Sequence, residues 1–359
     1  MNNVFEILKR RAGWVLAAIT IVALLPFLFK AFNIDDPLFL WSAIQIQSHP
    51  LDPFGFRVEW DWRAAPFWLV TENPPLQCYY LALAAKIVGW SEPALHGACL
   101  LPAVLAILGT FRLAKHFCKN PVLAALAALF TPAFLVSGTT VMCDVPMLAC
   151  WVWAAVFWVE GSDENDYRKL LAAGVLMALA ELTKYYAFTL MPLLAAYSAA
   201  SRHPVRRWAA FLLIPLAALI AWQIFQQYRY GYSPLARAID FVHLSKQTRT
   251  FSPDTAMLNG LSFAGGSMAV ILFLAPALWT RRNAIAFAAA ALVIAGFIAA
   301  DAGLLRHYPL LQGGTRLSAQ IQLVLWATVG LSLPAIAIAD LWRQRDPKSL
   351  MLALWVMGT

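Results

Sequence analysis

The sequence predicts an all-α fold, a polytopic bundle of transmembrane helices with amphipathic interfacial helices in the first extracytoplasmic loop. Three observations predict it. Apolar residues make up 61% of the 359 positions and charged residues only 13%, against roughly 25% charged in soluble domains. Apolar runs recur along the chain, the first from Trp14 to Lys30, and a run of that length crosses a bilayer. Basic residues gather in the short stretches between runs, as they do in cytoplasmic turns.

Taken in order, the expected spans lie near 14–31, 95–112, 121–138, 145–160, 170–182, 185–200, 208–225, 256–280, 284–300 and 317–340. No small-residue cleavage site follows Trp14–Phe29, so that segment is read as a retained anchor. A last run opening at Leu350 stops at Thr359 in mid-pattern, and further spans are expected beyond it. The whole of 1–359 is read as one transmembrane domain.

Pro74–Val88 is apolar enough to cross, yet acidic stretches bound it and no basic residue follows at Gly89–Pro93. Charge distribution decides between crossing and lying flat. With this segment in the interface, Lys9–Arg10–Arg11, Arg112/Lys115/Lys119, Arg168–Lys169, Arg202/Arg206/Arg207, Arg281–Arg282 and Arg343/Arg345/Lys348 all share one face. A crossing would invert every later loop and turn those clusters outward. The N-terminus is therefore expected in the cytoplasm, in a bacterial inner membrane. The loop from about 32 to 93 is expected outside, folded as helices at Pro37–Ser48 and Pro74–Val88. Its Trp41, Trp60, Trp62 and Trp68 are the residues that settle at membrane interfaces.

Several function classes drop out. Cys78, Cys99, Cys118, Cys143 and Cys150 have neither CxxC nor Cys/His metal spacing and sit mostly in apolar runs, as packing residues do. The net charge of +8 falls in membrane turns and forms no basic, aromatic-interleaved patch, so no nucleic-acid partner is expected. Phosphate-loop, GxSxG and HExxH motifs are lacking.

What remains is carboxylate chemistry at one membrane face. Asp35 and Asp36 follow the first span directly, and Glu72–Asn73–Pro74–Pro75, Asp144 and Lys184 fall on the same side. Side chains of neighbouring residues diverge, so only one of Asp35 and Asp36 enters a given cleft. The other suits the start of a helix opened by Pro37. Asp144 interrupts an apolar stretch, where a carboxylate is costly unless it caps a helix, lines a cavity or finds a partner. Lys184 either snorkels to the interface or binds an anionic phosphate. His243, Lys246 and Arg249 fit a solvated amphipathic helix or a ligand site, and Arg306, His307 and Arg316 flank a glycine turn that fits a phosphate.

These residues resemble the pattern of the type C, lipid-linked-sugar glycosyltransferases, in the branch of protein O-mannosyltransferases and bacterial aminoarabinose transferases. The matching positions are Asp35–Asp36 after the first span, Glu72–Leu76 with Tyr79–Tyr80, Asp144 before Pro146, and Leu182–Tyr185. The resemblance covers roughly Ile34–Met191 and continues only as hydropathy. It implies a polyprenyl-phosphate sugar donor held among the membrane helices, and a lipid, glycan or protein acceptor on the outer face. Carried over by position, Asp35 would stand nearest the reacting acceptor. Asp144 would be a second acid of the site, and Lys184 a ligand of the donor phosphate, with Arg249, Arg306 and Arg316 as further phosphate ligands. Glu72, Asn73, Tyr79 and His243 would be substrate or metal ligands. Glu72 matches a position that helps hold a divalent metal in aminoarabinose transferases, but Asn73 replaces the lysine that follows there, which leaves metal and amino sugar open. The competing expectation is a transporter or flippase using the same acids to carry protons and Lys184 to hold an anion. A structural subunit of an envelope complex is a third, and it leaves the converging acids unexplained.

Overall fold

The computed structural model describes residues 11–33, 35–60, 62–71, 73–234, 253–270, 272–274, 279–300 and 316–358. It separates into two compact units, one of Met1–Leu129 with Phe134–His243 and the other of Phe130–Ala133 with Leu244–Thr359. The chain is an integral, multi-pass membrane protein. Among the described residues, six helical segments are long and apolar enough to cross a bilayer: Ala12–Phe29, Glu92–Phe117, Asp144–Glu164, Val205–Tyr230, Arg281–Ala300 and Leu317–Gln344.

The first unit begins with α1 (Ala12–Leu24), continued by a 3-10 turn, Leu25–Phe29, with Pro26 near its start. Next come α2 (Asp36–Ser48), a hairpin of β1 (Arg57–Glu59) and β2 (Ala64–Pro66), and α3 (Leu76–Val88). The two helices expected in the first loop are thus present. The hairpin was not expected, and it is too short to show an alternating pattern. Register pairs Arg57 with Pro66, Arg57 Nη2 donates to the Ala64 carbonyl at 2.8 Å, and Phe56 stacks on Phe67 at 4.4 Å.

After α4 (Glu92–Ala98) and α5 (Leu100–Phe117), the expected span at 121–138 is two short helices, α6 (Pro121–Leu129) and α7 (Pro132–Ser137). Pro132 has no amide to continue the ladder and disfavours helix in the residue before it. Two other expected spans differ from their expected bounds among the described residues. The one at 185–200 opens as a 3-10 turn, Tyr185–Thr189, before α10 (Leu190–Ala200), and the one at 256–280 holds α12 (Pro253–Ser267).

Long helices form the body of this unit: α8 (Asp144–Glu164) and α9 (Tyr167–Thr183), an antiparallel pair, and α11 (Val205–Tyr230), which runs alongside α9 in the same direction, Tyr167 meeting Phe211 and Tyr185 meeting Trp222. A tight turn joins α8 to α9. Asn165 adopts the left-handed conformation that ends helices, and Asp166 accepts from the Arg168 and Lys169 amides to start the next. This hairpin returns the end of α9 to the level where α8 begins. Gly109 on α5 lies where a side chain would press on Val152 and Trp153 of α8, so its lack of one permits the close approach.

The second unit holds α12, α13 (Arg281–Ala300), α14 (Arg316–Gln344) and α15 (Pro347–Gly358) around Leu258, Ile294, Ile298, Leu323 and Ala327. Gly265 and Gly330 let α12 and α14 meet backbone to backbone, where a Cβ on either would overlap a carbonyl. A cavity of about 450 Å³ between α13 and α14 contains none of the candidate site residues.

Candidate active site

The adjacent carboxylates have different fates. Asp35 stands exposed at the N-cap of α2, and its side chain caps no backbone amide. Asp36, the first residue of the helix, is fully buried. Its carboxylate turns back to accept the Asn33 amide at 2.7 Å, and its Oδ1 has no partner among the described residues. Burial pushes the Asp36 pKa up, against the Asn33 hydrogen bond and the nearby charges of His96 and Lys30. The expected divergence is present, but neither side chain caps α2.

Asp144 opens α8 and Lys184 closes α9, so the hairpin brings residues forty apart in sequence into contact. Lys184 Nζ donates to Asp144 Oδ1 at 2.6 Å, and both side chains remain partly exposed, at 33% and 41%. Burial lowers the Lys184 pKa, but the hydrogen bond and charge of Asp144 outweigh it and hold the ammonium above its ordinary value.

Packing links this pair to the acids at α2. The buried amide of Gln77, in the first turn of α3, donates to the Val141 carbonyl at 2.9 Å. Val141 and Cys143 share one core with Phe39 and Ala43 of α2 and with Cys78 and Leu81 of α3. Pro74 and Pro75 are buried ahead of α3, with Asn73 half-buried beside them. Tyr79 is engaged structurally, its hydroxyl donating to the Pro50 carbonyl at 2.5 Å.

Glu72, His243, Arg249 and Arg306 lie outside the described residues. Arg316 opens α14 in the second unit. No group of three metal-ligating side chains occurs among the described residues, and the two residues considered for a metal, Glu72 and His243, fall outside them.

Sequence reasoning missed two polar assemblies. Glu92 and His96 of α4 reach the segment that leads to Asp35. The spacing of four within one helix was visible in the sequence; its target was not. Farther along the loop, Asp52 accepts from Tyr230 at 2.6 Å and from Arg229 at 2.6 Å, both at the end of α11. Tyr230 also stacks on Trp68 at 4.9 Å. Burial raises the Asp52 pKa, but the two hydrogen bonds outweigh it and hold the carboxyl below its usual range.

Residues 72–226 match the model of the dolichyl-phosphate-mannose-protein mannosyltransferase family. The match takes in Asp144, Lys184 and the start of α3, the elements just assembled. The architecture as a whole has solved counterparts. ArnT from Cupriavidus metallidurans, bound to undecaprenyl phosphate, superposes with a TM-score of 0.56 at 18% identity, over 100% of this chain and 70% of that one. Its apo state gives 0.55 at 18% identity, over 96% and 69%. The archaeal oligosaccharyltransferase AglB from Archaeoglobus fulgidus, in complex with an inhibitory peptide and a dolichol-phosphate, gives 0.52 at 16% identity, over 98% of this chain and 47% of that one. The chain has the type C glycosyltransferase fold. Among curated protein sequences there is no match. Within the type C frame, the carboxylates after α1 and the Asp144–Lys184 pair occupy one end of the bundle of the first unit.

Proposed function

We propose that the chain transfers a sugar from a polyprenyl-phosphate donor to a lipid, glycan or protein acceptor, as a single transmembrane domain. The active site faces the extracytoplasmic side of a bacterial inner membrane, and the N-terminus is cytoplasmic. The Asp144–Lys184 pair carries the reading: a partly exposed ammonium, held at a helix end by one carboxylate, is a receptor for a phosphate at the membrane surface. The family match over 72–226 and the undecaprenyl phosphate and dolichol-phosphate in the ArnT and AglB complexes support it.

The chemistry divides between two groups. An acceptor hydroxyl needs a base within hydrogen-bond reach, and Asp35, exposed and without a capping role, fills that need. The departing lipid phosphate needs cationic stabilisation and no proton, since it is already a good leaving group. Lys184 supplies it, with Asp144 orienting the ammonium. Direct displacement forms the new glycosidic bond as the sugar–phosphate bond breaks, inverts the anomeric carbon and leaves the acceptor proton on Asp35. Arg249, Arg306 and Arg316 are further phosphate ligands in this scheme, and Glu72, Asn73 and His243 are substrate or metal ligands. A transporter is not favoured: carriers place such charges near mid-membrane, whereas Asp144 and Lys184 sit at helix ends.

The test is reconstitution of the chain in nanodiscs with polyprenyl-phosphate sugars, together with mass spectrometry of envelope glycans and prenyl-phosphate sugars from cells with and without the gene. Transfer in vitro, with loss of a glycan and accumulation of donor in the deletion, is expected. Donor movement across the membrane with no new glycosidic bond would overturn the proposal in favour of transport.

A further inference from the structure

We infer that Glu92 and His96, one turn apart on α4, are positioning residues for the Asp35–Asp36 pair. This rests on the proposed function and adds to it a clamp that is no part of the carried-over pattern of site residues.

His96 is fully buried. Its Nδ1 lies 3.0 Å from the Leu28 carbonyl, and since a carbonyl only accepts, Nδ1 carries the proton and donates. Four residues on, the Phe32 amide donates to Glu92 Oε1 at 3.1 Å, and the Phe32 ring meets the His96 ring edge-on at 5.3 Å. One face of α4 therefore grips both ends of the segment that leaves the first span. Between the grips, Lys30 Nζ reaches the Val136 carbonyl at 2.8 Å. The next amide after Phe32 is that of Asn33, which donates to Asp36.

Three separate hydrogen bonds, at Leu28, at Phe32 and from Asn33 to Asp36, thus pin the backbone that runs from the first span to the acids. Asp35 lies between Asn33 and Asp36, its carbonyl accepting from the Leu38 amide at 3.1 Å, and its carboxylate caps no helix amide. Catalytic placement is sensitive to shifts of about 1 Å, which cost about 10² in rate. A clamp on the preceding backbone is what a base that caps no helix amide requires. His96 Nε2 and Asp36 Oδ1 are both buried and without a partner among the described residues. A polar group left so inside a protein is rare and often binds an ordered water. His96 therefore has two separable roles, the Nδ1 grip on Leu28 and a polar Nε2.

Substitution separates them, because an asparagine amide overlays the position of Nδ1 and a glutamine amide that of Nε2. In nanodiscs, His96→Gln is expected to lower kcat by about 10² with polyprenyl-phosphate affinity unchanged, and His96→Asn to restore most of that loss. Glu92→Ala should resemble His96→Gln. Independently of turnover, His96→Gln should speed hydrogen exchange at the Phe32 and Asn33 amides while α8 and α9 exchange as in wild type. Transfer absent from wild type would count against the proposed function, and the exchange data would still test the clamp. Unchanged exchange at Phe32 and Asn33, equal losses in the Gln and Asn variants, or a loss confined to donor affinity would overturn the inference.

Discussion

Replacing Lys184 by alanine separates the two roles of its ammonium. As a partner of Asp144 it makes one hydrogen-bonded ion pair at 2.6 Å, with the carboxylate side chain 41% exposed. Ion pairs that open to solvent contribute only about 0 to 1 kcal/mol, so Lys184→Ala should fold with a nearly unchanged melting temperature. As a ligand of donor phosphate it contributes a hydrogen bond to a charged group, about 1.5 to 3 kcal/mol. At about 1.4 kcal/mol per tenfold, affinity for polyprenyl phosphate should fall about 10- to 100-fold. Asp144→Asn is the control. It removes the competitor for the ammonium and should leave phosphate affinity equal to wild type or higher.

The assay is titration of polyprenyl phosphate into protein in nanodiscs, at two salt concentrations, alongside thermal unfolding. The ammonium is held above its ordinary pKa of 10.5, so the pair's contribution is present at neutral pH and lost as pH rises through that higher folded-state value. Affinity within twofold of wild type for Lys184→Ala, or equal weakening by both variants, would refute the reasoning. In either case Lys184 would be a structural partner of Asp144 alone.

Other outcomes follow from the same geometry. Asp35→Asn should reduce turnover by about 10² to 10⁴, measured as donor-dependent transfer, with donor affinity unchanged because the side chain is exposed and caps nothing. Tyr230→Phe removes a donor to Asp52 and an acceptor for the Phe54 amide; at about 1 kcal/mol each, it should destabilise by about 2 kcal/mol and speed proteolysis near Asp52. Asp52, held below its ordinary 3.8, stabilises the fold above that pH and loses this effect as pH falls through its lower folded-state value, so low-pH proteolysis should begin in this loop. A single cysteine at Trp62, which is 95% exposed, should react with an impermeant thiol reagent in intact cells lacking native thiols on the protein. One at Asn120 should not, and the reverse pattern would invert the topology.

The helical class and the boundaries of α2 and α3 were legible because composition, proline placement and the run of basic turns all act locally. Spans read from hydropathy alone ran too long where the chain breaks within an apolar stretch, as at Phe130–Pro132. Apolarity does not report whether an amide ladder is continuous. At the site, residue types were legible and partners were not. Lys184 could be placed at a helix end from its position between two apolar runs, but its contact with Asp144 depends on the length of the α8–α9 hairpin, which the left-handed Asn165 and the Asp166 cap fix. Likewise the adjacent acids were seen to diverge, while which of them is buried depends on the Asn33 amide and on α4 packing beside Phe32.

Asp36 shows why that distinction matters for the chemistry. A buried acid whose pKa is raised above 3.8 binds its proton more tightly folded than unfolded, so the fold loses stability as pH rises from 3.8 through the higher folded-state value. Asp36→Asn removes this dependence and keeps an amide oxygen to accept from Asn33. Melting temperatures across that window should therefore fall with rising pH in wild type relative to the variant, and at neutral pH the variant should be at least as stable. A carboxylate kept at such a cost contrasts with the other end of the same helices. There Glu160 accepts from Arg112 at 2.8 and 3.0 Å and from Lys169 at 3.0 Å, and Lys169 also bonds Glu164 at 2.9 Å. Every one of those charges is matched, as structural ion networks are, whereas the end with Asp35 and Lys184 carries an exposed acid, a buried acid with an oxygen unpartnered among the described residues, and an accessible ion pair. A buried acid with such an oxygen, beside an exposed acid and an accessible ion pair, breaks local rules in the way a functional site does. If wild type and Asp36→Asn show parallel pH profiles of unfolding, the buried acid is not destabilising and this asymmetry loses its main support.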